Sequence, residues 1–409
     1  MPFVRPGSPG HWLPVDGMDQ LPASVREEGA FLPTPLAQEI KLETRTNRLC
    51  GEGERELGRL NEAAGRMPKR NMMEAMAWVR DVQSTLGMTG KFESCRELLV
   101  SRLPDVDRAP RIDPTMARYL HADTDAVERV RRGEPVAETL LSRTAALLSE
   151  ASTSGLDDRT IGGMDTPWRT GHHWLGGPDA SDAFLLATPP DARLHEATAK
   201  WAAWVDDHCE LPLIAKLAIG HYQLSVLAPV AASKHLASHY IVLELIRAEA
   251  LQDQVLPISA WLDRDQAEYR RRLRAVVERR DIDGLVAFFA EGIRDLCRSQ
   301  WALIRGLEDQ RAKFIAQLPK TNDARARVVS ALIGIPVFNI KLLSELSGVT
   351  ARQTYNIVKD LVRLGLVRWL PKDKYGKALE VPDVVRLLTE YETLPVTNDH
   401  LALDREPDS

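Results

Sequence analysis

Cysteine is scarce in this chain of 409 residues. Its four thiols, Cys50, Cys95, Cys209 and Cys297, stand far apart and form no CxxC pair. That spacing excludes a disulfide framework and a cysteine-based zinc site, and it predicts buried thiols in a reducing compartment. Ten histidines are present, His172 and His173 adjacent, but no Cys/His ligand spacing surrounds them, so no metal site is predicted. No apolar run reaches the length of a membrane span, and no membrane partner is expected. The opening segment, MPFVRPGSPGHWLPVDG, lacks the basic-then-apolar order of a secretion signal. Together these absences predict a cytoplasmic protein. Net charge is small, −5, which as a whole-chain property neither requires nor excludes nucleic acid. No internal repeat is visible.

What is present is helical patterning, on a chain long enough for two or three domains. Segments 71–86 and 112–148 carry apolar residues at helical spacing, the second broken near Gly133 and Pro135. Segment 235–250 is apolar almost all round, the pattern of a helix buried inside a bundle. The Pro- and Gly-rich start predicts a flexible arm over residues 1–35.

The most informative stretch is His221–Tyr240, HYQLSVLAPVAASKHLASHY. It resembles the active-site segment of the Fic (Fido-fold) family, whose motif is His-Pro-Phe-x-Asp/Glu-Gly-Asn-Gly/Lys-Arg-x-x-Arg after a helix ending His-Tyr-Gln-Phe. The lead-in is held by His221, Tyr222, Gln223 and Leu224, and the motif positions run from Ala228 to His239 without a gap. Of the defining residues only Pro229 remains. The family transfers AMP from ATP to a protein hydroxyl. Its histidine is the general base; Ala228 stands there. Its acidic residue holds magnesium; Ala232 stands there. Its glycines let backbone N–H groups approach phosphate; Ser233, Lys234 and His235 follow instead. Its arginines fork onto phosphate oxygens; Leu236 and His239 replace them. Lys234, His235 and His239 read as a small basic group, with Ser233 as an anion donor; in the other reading Lys234 and His239 are solvated or capping residues at a helix start.

The resemblance extends along the chain. WRTGHHWLGG, residues 168–177, is similar to the family's entry into a β-hairpin flap that docks a target main chain, which makes Leu175, Gly176 and Gly177 candidate docking residues. FLLATPP (184–190) and AEYRRRLRAVVERRDIDGLVAFFAEGI also match in order. In larger Fic proteins a glutamate of an N-terminal helix blocks ATP by pairing with the second motif arginine. Thr89 occupies that glutamate's position, unless 86–90 is simply a helix end at Gly87 or Gly90.

Near the carboxy terminus, residues 340–346, Ser347-Gly348-Val349-Thr350 and 351–364 read as helix, tight turn, helix. Gly348 suits a left-handed helix end and Thr350 an N-cap. A hairpin over 366–381 would follow, its tip carrying Lys372, Lys374 and Lys377. This resembles the winged helix-turn-helix domain that often follows a Fic domain. Residues 320–390 hold 12 Lys/Arg against 7 Asp/Glu, a net of +5 in an acidic chain. Such a balance suits a duplex backbone, and Arg352, Gln353, Tyr355, Asn356 and Lys359 are spaced to reach a groove. The other reading is a solvated helix face in a module used for protein contacts.

The expected architecture is therefore mainly α: a Fido-type helical bundle with a small β-hairpin flap, plus a C-terminal winged helix. Its parts are the arm (1–35), an N-terminal helical region (36–111), a degenerate Fido domain (112–316), the winged helix (322–392) and a disordered tail (395–409). The expected function is a Fic-family protein without catalysis, acting as a regulatory or binding module with double-stranded DNA as partner and no cofactor. Two alternatives stay open. One is an adenylyltransferase using ATP with Mg at an unorthodox site. The other is a scaffold whose flap holds a protein partner by strand addition. A homodimer is also left open.

Overall fold

The computed structural model describes residues 9–36, 40–67, 71–87, 94–101, 103, 114–148, 168–176, 179–207, 210–230, 233–318, 323–372 and 376–393. Helices dominate. Among them α2 (Thr44–Arg66) and α12 (Ile282–Gln317) lie along one another and form the backbone of the molecule. Both carry a buried stripe at three- and four-residue spacing: Leu49, Gly53, Leu57 and Leu60 in α2, and Val286, Phe289, Ile293 and Leu296 in α12. Glu52 and Glu56 flank the seam and face Arg294 and Arg298 at 3.5 and 3.3 Å.

Two helices pass through the interior. One is α8 (Leu213–Leu227), in which all but two residues are buried, and the other is α9 (Ser233–Arg247). Both are rich in apolar residues and bury nearly their whole length, which suits that position. Around them pack α3 (Asn71–Gly87), α5 (Pro114–Arg131), α6 (Glu138–Leu148), α7 (Ala192–Asp206), α10 (Ile258–Arg264) and α11 (Gln266–Arg279). The break expected near Gly133 and Pro135 separates α5 from α6, and Gly133 is left-handed at φ 90°. Cys50, Cys95 and Cys297 are buried and in no disulfide; burial pushes the Cys50 thiol up to about 12. Cys209 lies outside the described residues.

The amino-terminal arm requires a correction. Residues 10–33, expected to be flexible, form β1 (Gly10–Leu13), α1 (Ala23–Glu28) and β2 (Ala30–Pro33). Strand β2 continues into the sheet of the expected hairpin, β3 (Trp174–Leu175) and β4 (Leu185–Leu186), in the order β1-β2-β4-β3. Pairing of Ala30 with Leu186 is parallel, the rest antiparallel. The physical reason is burial. Trp12 and Phe31 meet edge to face at 5.2 Å and are withdrawn from water, which outweighs the turn-prone composition around them.

Past α12 the chain forms α13 (Asp323–Gly334), β5 (Val337–Phe338), α14 (Ile340–Ser347), α15 (Ala351–Arg363), β6 (Arg368–Trp369), β7 (Leu379–Glu380) and α16 (Pro382–Thr393). Helix α14 begins at Asn339, whose side chain accepts from Leu342 N–H at 2.8 Å, and ends at Gly348 with φ 63°. Thr350 caps α15 through Gln353 N–H. The three short strands form an antiparallel sheet in the order β5-β7-β6. Its Glu380 is fully buried and meets Arg96 of α4 (Cys95–Ser101) at 2.7 Å, so this region is tied to the N-terminal helices. Among the described residues no helix is long and apolar enough to cross a membrane. The tail at 395–409 lies outside them.

Candidate functional site

The junction between α8 and α9 holds the motif positions. Helix α8 ends at Ala228, which is left-handed (φ 45°, ψ 60°) and fully buried. A left-handed residue commonly closes a helix, but an L side chain there is strained by about 1–2 kcal/mol. Arg169 secures it. The Arg169 guanidinium donates to the carbonyls of Ala228 (2.5 Å), Leu227 (3.1 Å), Gly171 (2.9 Å) and Thr188. Its backbone N–H donates to Pro229 O at 3.1 Å, beside a bridge between Trp168 and Val230. Cationic donors at a helix C-terminus satisfy orphan carbonyls and complement the dipole. Burial lowers the Arg169 pKa to about 10, a shift that Asp191 opposes.

The substitutes at the following positions do not converge on one spot. Ser233 is spent locally: its Oγ donates to Val230 O and accepts from Val230 N–H at 3.1 Å. Lys234 turns toward the hairpin and donates to Gly176 O at 2.9 Å. Leu236 is fully buried. His235 and His239 stack in parallel, 5.7 Å apart, and face inward to the buried Asp123 of α5. His235 Nε2 lies 2.7 Å from Asp123 Oδ1, and His239 Nδ1 3.7 Å from it. The basic group expected of Lys234, His235 and His239 is thus divided between the hairpin and the core.

Burial opposes charge on every member of that inner cluster. Despite burial, Asp123 and its hydrogen bond hold the His235 pKa above the usual imidazole value, whereas burial holds that of His239 below it. Asp123 is held below the ordinary carboxylate range, against its own burial, by His235 and then His239. Nearby Asp81 accepts from Ser259 N–H at 2.6 Å; burial raises its pKa to about 6.

Between the hairpin and helices α8 to α11 lies a cavity of about 60 Å³. Leu175, Phe184, Leu262 and Leu273 form its apolar walls; Ser225, Lys234, Tyr269 and Arg270 are among its polar lining. Gly176 belongs to it as well, where a Cβ would run into Asp182 O and Ala183 Cα. Beneath the cavity, His221 Nδ1 lies 2.8 Å from Ala237 O, a pure acceptor. Burial pushes the His221 pKa down to about 4, so the ring is neutral, with its proton on Nδ1. Its Nε2 therefore accepts from Tyr269 O–H at 2.7 Å. Ser225 Oγ is 3.3 Å from the same Tyr269 oxygen.

Comparison with solved structures gives a likeness to the crystal structure of a Fic family protein from Desulfovibrio desulfuricans G20, determined at 2.70 Å. The TM-score is 0.51 at 16% sequence identity, over 84% of this chain and 97% of that one. The chain has the fold of a Fic family protein. No model of a protein family matches the sequence, and no curated protein matches it.

In the C-terminal region, Arg352, Gln353, Tyr355, Asn356 and Lys359 are all exposed on one side of α15, while Thr354, Ile357, Val358 and Leu361 are buried on the other. Lys372 and Lys377 are exposed near β6 and β7. Thr89, Gly177, Ala232 and Lys374 lie outside the described residues. Several residues around these positions and the cavity were not singled out from the sequence: Arg169, Asp123, Tyr269 and Arg270. Asp123 left one signal, a carboxylate on the face shared with Ala122, Ala126 and Val127, which needs a partner when buried.

Proposed function

We propose that this chain is a Fic-fold protein without AMP-transfer activity that works as a regulatory, DNA-binding module. The observation that carries the first half is Ala228. It stands at the general-base position, is fully buried, and its main chain is held by Arg169. A methyl group can neither take a proton nor reach a substrate from there, and loss of a general base alone costs roughly a hundred- to ten-thousand-fold. The arginine positions are occupied by Leu236 and His239, both withdrawn into the core.

The second half rests on the region 323–393, which we read as a winged helix-turn-helix. Helix α15 is its recognition helix and the β6–β7 hairpin its wing. Supporting this reading are the exposed polar face from Arg352 to Lys359, the exposed Lys372 and Lys377, and the local charge of +5. Backbone phosphates attract such a surface, and Arg, Gln and Asn side chains can read base edges.

A second reading has its own observation. Strand β3 is one of the two outer strands of the four-stranded sheet, and an outer strand is where a partner's extended segment would add. The two are separated with the full chain. Labelled ATP and cell extract should give no labelled protein above a heat-killed control, and duplex DNA should be shifted at low salt. Labelling that depends on residues 228–239 would restore the adenylyltransferase reading. Absence of any DNA shift would move the weight to the protein partner.

A further inference from the structure

Arginines on α10 and α11 come with acidic partners. Arg264 meets Asp265 at 2.8 Å, Arg272 meets Glu268 and Arg274 meets Glu278, both at 2.6 Å, and Arg271 shares Glu268. Arg270 is the exception: among the described residues no carboxylate pairs with it, although it lines the cavity beneath the hairpin. Lys234 lines the same cavity and, among the described residues, has no acidic partner; its Nζ donates to Gly176 O at 2.9 Å. The two cations are close enough for Arg270 to lower the Lys234 pKa, in addition to the larger effect of burial. Like charges facing one partly enclosed space raise each other's free energy, and an anion between them relieves it.

Hydroxyl geometry points the same way. Tyr269 gives its proton to His221 Nε2, which accepts because Nδ1–H is committed to Ala237 O. The Tyr269 oxygen can therefore only accept within the cavity. Ser225, 3.3 Å from it, is left with a proton that can turn either to Tyr269 or to a ligand. The Ser233 hydroxyl is excluded, being closed on Val230.

We propose that this cavity binds a compact oxyanion, a carboxylate or phosphate group, held between Lys234 and Arg270 with Ser225 as a hydroxyl donor. Size limits the ligand. A cavity of about 60 Å³ has room for a few waters. That suits the anionic head of a small organic acid, or phosphate itself. A short apolar stem would lie against Leu175 and Leu262. The site stands apart from the DNA reading and does not depend on it.

Calorimetry and thermal unfolding of the full chain test the proposal, with sodium phosphate and sodium acetate each titrated against chloride at constant ionic strength. Saturable binding with a rise in Tm over chloride is expected for at least one anion, and the tighter of the two identifies the source chemistry. Lys234→Met and Arg270→Met should each weaken binding at least tenfold. Lys234→Arg should keep it within a few-fold, and Arg271→Met, which alters a solvent-exposed ion pair, should leave it unchanged. If a methionine variant does not fold, Lys234→Gln or Arg270→Gln takes its place. Equal behaviour of phosphate, acetate and chloride, or binding that survives loss of either cation, would overturn the proposal. So would ATP with magnesium binding more than tenfold tighter than phosphate, because the cavity would then be a nucleotide site.

Discussion

Arg169 Nε donates to the carbonyl of Ala228 at 2.5 Å, and through that contact the segment before the hairpin holds the end of α8 in place. One side chain serves four carbonyls there. Ala228, which the sequence resemblance aligns with the family's histidine, is thus built into the packing and is not in an open loop.

Replacing Arg169 with Met should therefore destabilise the protein well beyond an ordinary surface change. Several part-buried carbonyls lose their donor at once. The expected cost is about 2–4 kcal/mol, the range for leaving buried polar groups unsatisfied. Urea unfolding measures it; Arg169→Lys should recover only part, because an ammonium lacks the planar fork.

Buried Glu380 provides a second test. It meets Arg96 at 2.7 Å and Arg368 Nε at 2.5 Å. Removing both arginines leaves the carboxylate buried without a partner, at an expected cost of about 3–5 kcal/mol. Adding Glu380→Gln to that double variant should restore much of the loss, since the uncompensated charge is gone. No recovery in thermal unfolding would show that the arginines act through packing.

A pH dependence follows from His221. Its folded pKa, depressed to about 4 by burial, lies below the unfolded value of about 6.5. Its contribution is complete above the unfolded value and is lost as pH falls toward 4, by up to about 1.4 kcal/mol per unit. His173, likewise lowered to about 4 by burial and by Arg169 and Lys234, acts in the same direction. Asp81, raised to about 6, opposes them, because the folded state takes up its proton first as pH falls. His235 bears on the alkaline side: its pKa is raised, so its share is full below the unfolded value and is lost as pH climbs through the folded one. Urea midpoints of wild type and His221→Gln between pH 7.5 and 4.5 should show a flatter acid limb for the variant. Parallel curves would refute the assignment.

Binding to duplex DNA should separate α15 from the hairpin. Lys377→Ala should weaken all sequences about equally and reduce the salt slope by roughly 0.9. Arg352→Ala should reduce discrimination among sequences at similar overall affinity. Mobility shifts at several salt concentrations read both, and identical effects of the two changes would count against the groove assignment.

What was legible in the sequence was local. Gly348 and Thr350 mark the turn between α14 and α15 because capping depends on neighbours within three or four residues. The nearly all-round apolar run over 235–250 also marked α9 as interior. Non-local pairing was not legible. Strands β3 and β4 are two residues each, and β2 joins them from 156 positions away, so no periodicity announces the sheet. The partner of His235 and His239 was not legible either, because Asp123, 112 positions before His235, comes beside them only in the fold.

Helix α12 acts as a ruler. Phe289 packs on His221 with ring centroids 5.2 Å apart, and seventeen residues later Gly306 faces Leu387 of α16, where a Cβ would stand 3.1 Å from the leucine. At 1.5 Å per residue the two stations are about 25 Å apart along one axis. Backbone hydrogen bonds set that interval, so no change in a connecting loop can lengthen it. A single residue inserted between them would rotate everything beyond by about 100° and turn Gly306 away from α16. Over this span a changed side chain is felt by its own neighbours, whereas a changed length is felt by every contact beyond it.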